Sequence, residues 1–161
     1  MSGETKVPSR KDRNSGAIQL DGTRITYTSP VYGSFSIPLS EVAVIGEFTT
    51  DNGPFIDDWF LVFVLRDGSD WFEASMFAEG IEPLRQQLSE TLGASFGGDS
   101  LVFSTDFASR IVWPPALVGR PLFAFSPVKG SGVFGRIRLA IFPQIAHHLS
   151  ADTLSAIERS A

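Results

Sequence analysis

Cysteine is absent from the 161-residue chain. Its absence excludes a disulfide framework, thiolate zinc sites and thiol catalysis, and it fits a reducing compartment, so we expect a cytoplasmic protein. The chain also lacks a long apolar run. The longest, Trp59 to Leu65, has seven residues, whereas a membrane-spanning helix needs about 20. The N-terminus lacks the apolar segment of a secretory signal. We therefore predict no integral membrane segment.

Residues that commonly carry catalysis are also scarce. His147 and His148 are the only histidines, and neighbours on a helix point about 100° apart, so they do not chelate one ion from one face. None of the serines lies in G-x-S-x-G or S-x-x-K. We therefore predict a protein that is not an enzyme and has no cofactor.

Charge is unevenly distributed along the chain, whose net charge is −5. From Glu41 to Asp106 there are thirteen acids and two bases, and from Phe107 to Ala151 there are five bases and no acid. One interpretation is an anion-binding patch, and the other is that the basic segment packs beside the acidic one. An acidic chain with few lysines argues against nucleic-acid binding. The candidate anion-binding residues are Arg110, Arg120, Lys129, Arg136 and Arg138.

The first half of the chain has the alternation typical of β-strands. After a polar tail over residues 1–15, Ala17 to Ser29 predicts a hairpin that turns at Asp21-Gly22. Gly33 to Leu39 alternates with period two, and Pro38 marks an edge or the end of a strand. Glu41 to Phe48 predicts a strand covered on both faces.

The most hydrophobic stretch, Asp58 to Phe77, predicts a second hairpin with its turn at Arg66 to Ser69. Ile81, Leu84, Leu88 and Leu92 then form one helical stripe, so we predict an amphipathic helix at about 80–92 that packs on the hairpin. Trp71 and Phe77 share the mixed face of the second arm, which makes them candidate interface residues.

The loop from Thr49 to Asp57 places several oxygen ligands close together. Asp51, Asp57 and Asp58 are candidate ligands of a calcium site. Their spacing does not match an EF-hand loop, and the Glu of its twelfth position is missing, so we predict no metal site.

Short β segments and a terminal helix follow. The segments are Leu101 to Ser104, Arg110 to Trp113, Leu122 to Phe125 and Val133 to Phe142. Residues 130–135 match G-x-G-x-x-G, but no helix pattern follows the glycines, so we predict a hairpin loop and no nucleotide site. Residues 144–160 predict a helix, in which Ser150 is a plausible N-cap and Leu154 and Ile157 face the core.

The region from Ala17 to Gly93 combines a characteristic order of elements with two short motifs. The motifs are Ile37-Pro38-Leu39-Ser40-Glu41-Val42 and the Leu65-Arg66-Asp67-Gly68 hairpin before the helix. In these features the region resembles bacterial pleckstrin-homology-like domains. This resemblance implies a mainly β (α+β) fold with a bent antiparallel sheet or partly open β-barrel. One globular domain then spans residues 16–161, with a core at 16–93, a β extension at 99–143 and a C-terminal helix.

The resemblance implies a binding or scaffolding module, and the fold does not choose the ligand. The first hypothesis is a non-catalytic binding or assembly module that contacts a protein partner or itself. The alternative is peripheral binding of an anionic ligand or membrane surface through residues 107–138. The third is a small hydrolase that uses carboxylates such as Asp57 and Asp58.

Overall fold

The structure is a computed structural model that describes residues 14–50, 57–68, 70–96, 108–127 and 145–160. The described residues are mainly β, as the sequence predicts, with antiparallel sheets and the α-helices Ile81–Leu92 and Ala151–Ser160. The predicted strands at 101–104 and 133–142 and the glycine-rich segment 130–135 lie outside the described residues. So do Lys129, Arg136, Arg138 and Asp51.

The first sheet has three strands in sequence order. They are β1 (Ala17–Asp21), β2 (Arg24–Ser29) and β3 (Gly33–Pro38). The predicted turn at Asp21-Gly22 is confirmed, and Gly22 has a φ of 59°, which glycine adopts without the steric penalty of a Cβ atom. A 3-10 turn at Leu39–Glu41 leads out of this sheet.

The second sheet has four strands in the order β6-β5-β4-β7. Strand β4 (Val42–Thr49) pairs on one edge with β5 (Trp59–Leu65) and on the other with β7 (Ala108–Trp113). Strand β6 (Trp71–Ser75) completes the predicted hairpin with β5. All eight residues of β4 are buried, which confirms that both faces of this strand are covered.

The first core cluster lies between the two sheets and includes helix α1 (Ile81–Leu92). The predicted stripe is confirmed, because Ile81, Leu84 and Leu88 are buried together with residues of the β5–β6 hairpin. Gly93 ends the helix in a left-handed conformation with a φ of 65°.

The second core cluster covers the opposite face of the four-stranded sheet. It joins that face to the two-stranded sheet of β8 (Phe123–Pro127) and β9 (Ile145–Leu149) and to helix α2 (Ala151–Ser160). The four-stranded sheet is therefore the middle layer of the molecule. The members of the second core cluster include Val44, Val62, Ile111, Phe123 and Ile157.

The predicted helix over 144–160 is wrong at its start. Residues Ile145–Leu149 form β9, which pairs with β8, and the helix begins at Ala151. Ser150 separates the two elements as the predicted N-cap, because its Oγ accepts a hydrogen bond from the Thr153 N–H at 3.2 Å. Pairing with a distant strand therefore overrides the local helical pattern.

Only one of the two predicted core residues of α2 faces the core. Ile157 is 8% exposed, whereas Leu154 is 47% exposed. Residues three apart on a helix differ by about 60° in direction, and the buried side of α2 runs through Thr153, Ala156 and Ile157.

This difference in exposure predicts unequal effects on stability for two truncations in α2. Ile157→Ala should lower the free energy of unfolding by about 2–5 kcal/mol, because it leaves a cavity in the second core cluster. Leu154→Ala, the matched control, should change it by less than about 0.5 kcal/mol. Urea denaturation followed by circular dichroism measures both, and equal losses would contradict the placement of α2.

Candidate functional site

Three polar groupings in the described part of the chain contain residues that the sequence marks as candidates. One lies in the middle sheet around Glu47, one lies around Asp57, and one lies on the surface beside α2. The first two are largely buried, and the third forms a groove.

Glu47 is buried in the middle of β4 and binds two partners. Its Oε1 lies 2.5 Å from Nε of Arg110 on β7, and its Oε2 accepts a hydrogen bond from Nε1 of Trp59 at 2.9 Å. The side chain of Glu47 is 4% exposed and that of Arg110 is 34% exposed. Both carboxylate oxygens of Glu47 thus have a partner, and the ion pair connects β4 to β7 within the sheet.

Asp57 is 2% exposed and lies beside β6. One of its carboxylate oxygens accepts a short hydrogen bond from the Ser75 hydroxyl, and its N–H donates to Oη of Tyr32 at 3.0 Å. The other oxygen, Oδ1, is buried and has no hydrogen-bond partner among the residues that the structure describes. Asp58 is half-buried. The grooves at α1 and α2 are lined by other residues, so neither carboxylate faces them.

Tyr27 and Tyr32 border the Asp57 grouping. The Tyr27 hydroxyl donates to the Ser15 carbonyl at 2.7 Å. Burial raises the pKa of Tyr27 above its ordinary value of 10.0, since it disfavours the phenolate, and burial likewise raises the pKa of Tyr32. Both hydroxyls are therefore neutral over the physiological pH range.

The surface groove lies between α2 and the segment from Pro114 to Arg120. Its volume is about 420 Å³, and it carries two guanidinium groups, of Arg120 and Arg159. Nη1 of Arg120 lies 2.9 Å from Oδ1 of Asp152, which is the only acid among the lining residues. We call this groove between α2 and the segment from Pro114 to Arg120 the α2 groove. The rest of its lining is Pro114, Ala116, Leu117, Ser155, Ala156 and Ser160.

The two described members of the predicted basic patch lie on opposite sides of the middle sheet. Side chains alternate along a strand, so Glu47 and its partner Arg110 lie on the face of Ile45, which belongs to the first core cluster. Arg120 binds Asp152 on α2, whose buried side belongs to the second core cluster. The structure thus does not bring Arg110 and Arg120 together.

The aromatic interface candidates are less exposed than the sequence suggests. Trp71 is half-buried, with its ring 5.4 Å from that of Phe123, and its Nε1 donates to Glu73 at 2.9 Å. Phe77 is half-buried, 6.3 Å from the ring of Trp59. Both side chains take part in packing within the chain.

The residues that the structure describes contain no group of three or more His, Cys, Asp or Glu side chains with the geometry to hold a metal ion. His148 is exposed and lies on β9, not on a helix. No helix in the same residues is both long and apolar enough to cross a membrane.

Comparisons of the chain with protein-family models, with curated proteins and with solved structures find no match.

The sequence interpretation missed Arg159 and Asp152. Their spacing with Ser155, three and then four residues, places all of them on one face of a helix. This spacing is therefore a sequence signal for the polar face of α2. Glu47 was also missed, although it is the one charged residue inside the apolar strand β4.

The Glu47–Arg110 pair predicts a large effect on stability. Arg110→Ala should lower the free energy of unfolding by about 3 kcal/mol, because it leaves a buried carboxylate without its cation. Adding Glu47→Gln should recover part of that loss. Arg120→Ala breaks an exposed pair and should lose only about 0.2–1 kcal/mol. Urea denaturation measures the free energy of unfolding of each variant. Equal losses for Arg110→Ala and Arg120→Ala would contradict the structural role of the Glu47–Arg110 pair.

The raised tyrosine pKa values predict alkaline destabilisation. Because the folded state binds protons more tightly than the unfolded state, this stability is complete below pH 10 and is lost as pH rises through the folded values. Since the chain has two tyrosines, tyrosinate absorbance of the folded protein reports them alone. We expect titration above 10.0 in the native protein and near it in urea. Tyr27→Phe and Tyr32→Phe assign the two steps, and identical native and unfolded curves would refute the prediction.

Proposed function

We propose that this chain is a non-catalytic binding module that acts through protein–protein contacts, and that its α2 groove holds a carboxylate group of the partner. The observation that carries the proposal is the pair of guanidinium groups, Arg120 and Arg159, on one open groove of about 420 Å³. With Asp152 as the only acid among its lining residues, the groove has an excess of one positive charge on a chain of net charge −5.

Arginine suits carboxylate recognition because its planar guanidinium donates two parallel N–H bonds to both oxygens. Nη1 of Arg120 binds Asp152, and this contact orients the side chain while leaving other N–H groups of the fork for a ligand. The hydroxyl of Ser155, which is exposed on α2, adds a neutral donor beside Arg159. An open groove of this kind admits a side chain or chain end that projects from another protein.

The resemblance to bacterial pleckstrin-homology-like domains belongs to this proposal. Its support is the order of six antiparallel strands followed by helix α1. A fold of this type serves binding and assembly, and it leaves the choice of ligand to the surface residues.

The two other functions have less support. Peripheral binding of an anionic ligand or membrane through residues 107–138 needs its bases on one surface, whereas Arg110 and Arg120 lie on opposite sides of the sheet. A hydrolase based on Asp57 and Asp58 needs a cleft at the carboxylates, whereas Asp57 is buried against Ser75.

The test uses an acetylated hexaglutamate peptide as the acidic probe and hexalysine as its control, followed by heteronuclear NMR. We expect hexaglutamate to shift resonances of residues 114–120 and of α2, and salt to weaken the binding. Arg120→Ala and Arg159→Ala should each reduce the affinity about tenfold or more, as expected for loss of a charged hydrogen bond.

Arg85→Ala serves as the matched control, because Arg85 lines the separate groove on α1 and pairs with Glu82. It should leave the affinity unchanged. Shifts outside the α2 groove, or no binding at millimolar peptide, would contradict the proposal. Binding to vesicles with anionic lipids in the absence of peptide binding would favour the membrane alternative instead.

A further inference from the structure

Strand β3 is the outer strand of the three-stranded sheet, and no strand among the described residues pairs with its other side. Gly33, Ser34 and Ser36 are exposed, whereas Phe35 and Ile37 turn towards the first core cluster. The segment Gly33–Pro38 contains no charged residue. It therefore has the composition of a strand that accepts another strand along its edge.

The backbone groups that face outward follow from one hydrogen bond. The Leu39 N–H donates to the Thr23 carbonyl at 2.7 Å, so the backbone of Leu39 faces β2. Because backbone direction alternates along a strand, the polar groups of Ser34, Ser36 and Pro38 face away from β2. Pro38 has no N–H to offer, which suits this outward position.

The outward groups of Ser34 and the Ser36 N–H are available for pairing, since the described part of the chain supplies no hydrogen-bond partner for them. The Ser36 carbonyl accepts a bond from Nη1 of Arg24 at 3.2 Å. Arg24 is exposed, and because a carbonyl oxygen has two lone pairs, the Ser36 carbonyl can accept a ladder hydrogen bond as well.

Two other edge strands, β1 and β7, make backbone hydrogen bonds to neighbouring segments. On β1, the Ile18 N–H donates to the Glu79 carbonyl at 2.8 Å, and the Glu79 N–H donates to Gly16 at 2.8 Å. On β7, the Ile111 N–H donates to Arg120 at 2.7 Å. The outward backbone groups of Ser34 on β3 make no such bond to the described part of the chain.

We propose that a second copy of this chain pairs with this edge, with the two β3 strands antiparallel about a two-fold axis at Phe35. In this register, Ser34 of one copy lies opposite Ser36 of the other, and each such pair exchanges both N–H···O bonds. The two three-stranded sheets then become one continuous sheet, and the interface is isologous.

Three features favour a second copy as the occupant. The strand itself contains no charged residue, so no like charges within β3 are opposed when two copies of a chain of net charge −5 pair. The free run is bounded by Pro38 at one end and by the turn at Val31–Tyr32 at the other, which centres it on Phe35. Val31, an apolar side chain that is 56% exposed, then lies at the end where Leu39 of the second copy arrives.

The first test is sedimentation velocity of the full chain over a range of concentrations, where we expect a reversible dimer. Ser34→Pro removes an outward N–H without touching the ladder to β2, and it should weaken dimerisation about tenfold or more. Ser34→Ala keeps the N–H and should leave dimerisation unchanged. Circular dichroism confirms that each variant is folded.

The second test checks the register and does not depend on proline. The double variant Ser34→Lys with Ser36→Lys places like charges directly opposite each other and should be monomeric. The double variant Ser34→Lys with Ser36→Glu places opposite charges face to face in the same register and should restore the dimer.

A wild-type chain that is monomeric at all concentrations would overturn the inference, even if the β3 edge binds a peptide from another protein. A dimer that survives both Ser34→Pro and the double lysine variant would also overturn it, because another surface would then form the contact. The inference is independent of the α2 groove, and Arg159→Ala should leave the dimer intact.

Discussion

Strand β4 is hydrogen-bonded on both edges and buried at all eight positions, and the other elements are arranged to make this burial possible. Its apolar side chains are covered on both faces. Helix α1 and the first sheet lie on one side, and α2 and the two-stranded β8–β9 sheet lie on the other. Gly46 shows how closely the layers approach. A Cβ atom there would lie 2.7 Å from the Arg110 carbonyl oxygen and 2.7 Å from Cδ2 of Leu122.

Burial of β4 also decides the fate of its one charge. A lone carboxylate inside a sheet is strongly unfavourable, so Glu47 requires both Arg110 and the indole of Trp59. One base of the acid-free segment is thereby used to neutralise the acidic middle of the chain. For Arg110, the structure thus agrees with the interpretation that the basic segment packs beside the acidic one. Arg120 differs, since it pairs with Asp152, which follows the acid-free segment, and remains exposed.

Local patterns were sufficient to predict the elements between Ala17 and Leu92. Period-two alternation, turn residues and the Ile81–Leu92 stripe each specify structure within a few residues, and the structure agrees with them. The errors arise where distant pairing decides. Ile145–Leu149 is a strand because β8 lies beside it, and Leu154 is exposed because the layer beneath α2 lies to one side. For the same reason, sequence grouped Arg110 with Arg120, whereas the sheet separates them.

The middle sheet also separates the two proposed contact surfaces. The α2 groove lies on the side of the second core cluster, whereas the edge of β3 belongs to the sheet that packs on the first. A partner that binds Arg120 and Arg159 therefore need not approach the β3 edge, and pairing along β3 leaves the guanidinium groups accessible. In a two-fold dimer each copy presents its own groove, so a partner with two acidic segments gains avidity without any new contact. The three-layer arrangement that buries β4 would therefore allow both proposed contacts, recognition at the α2 groove and assembly along β3, in one chain.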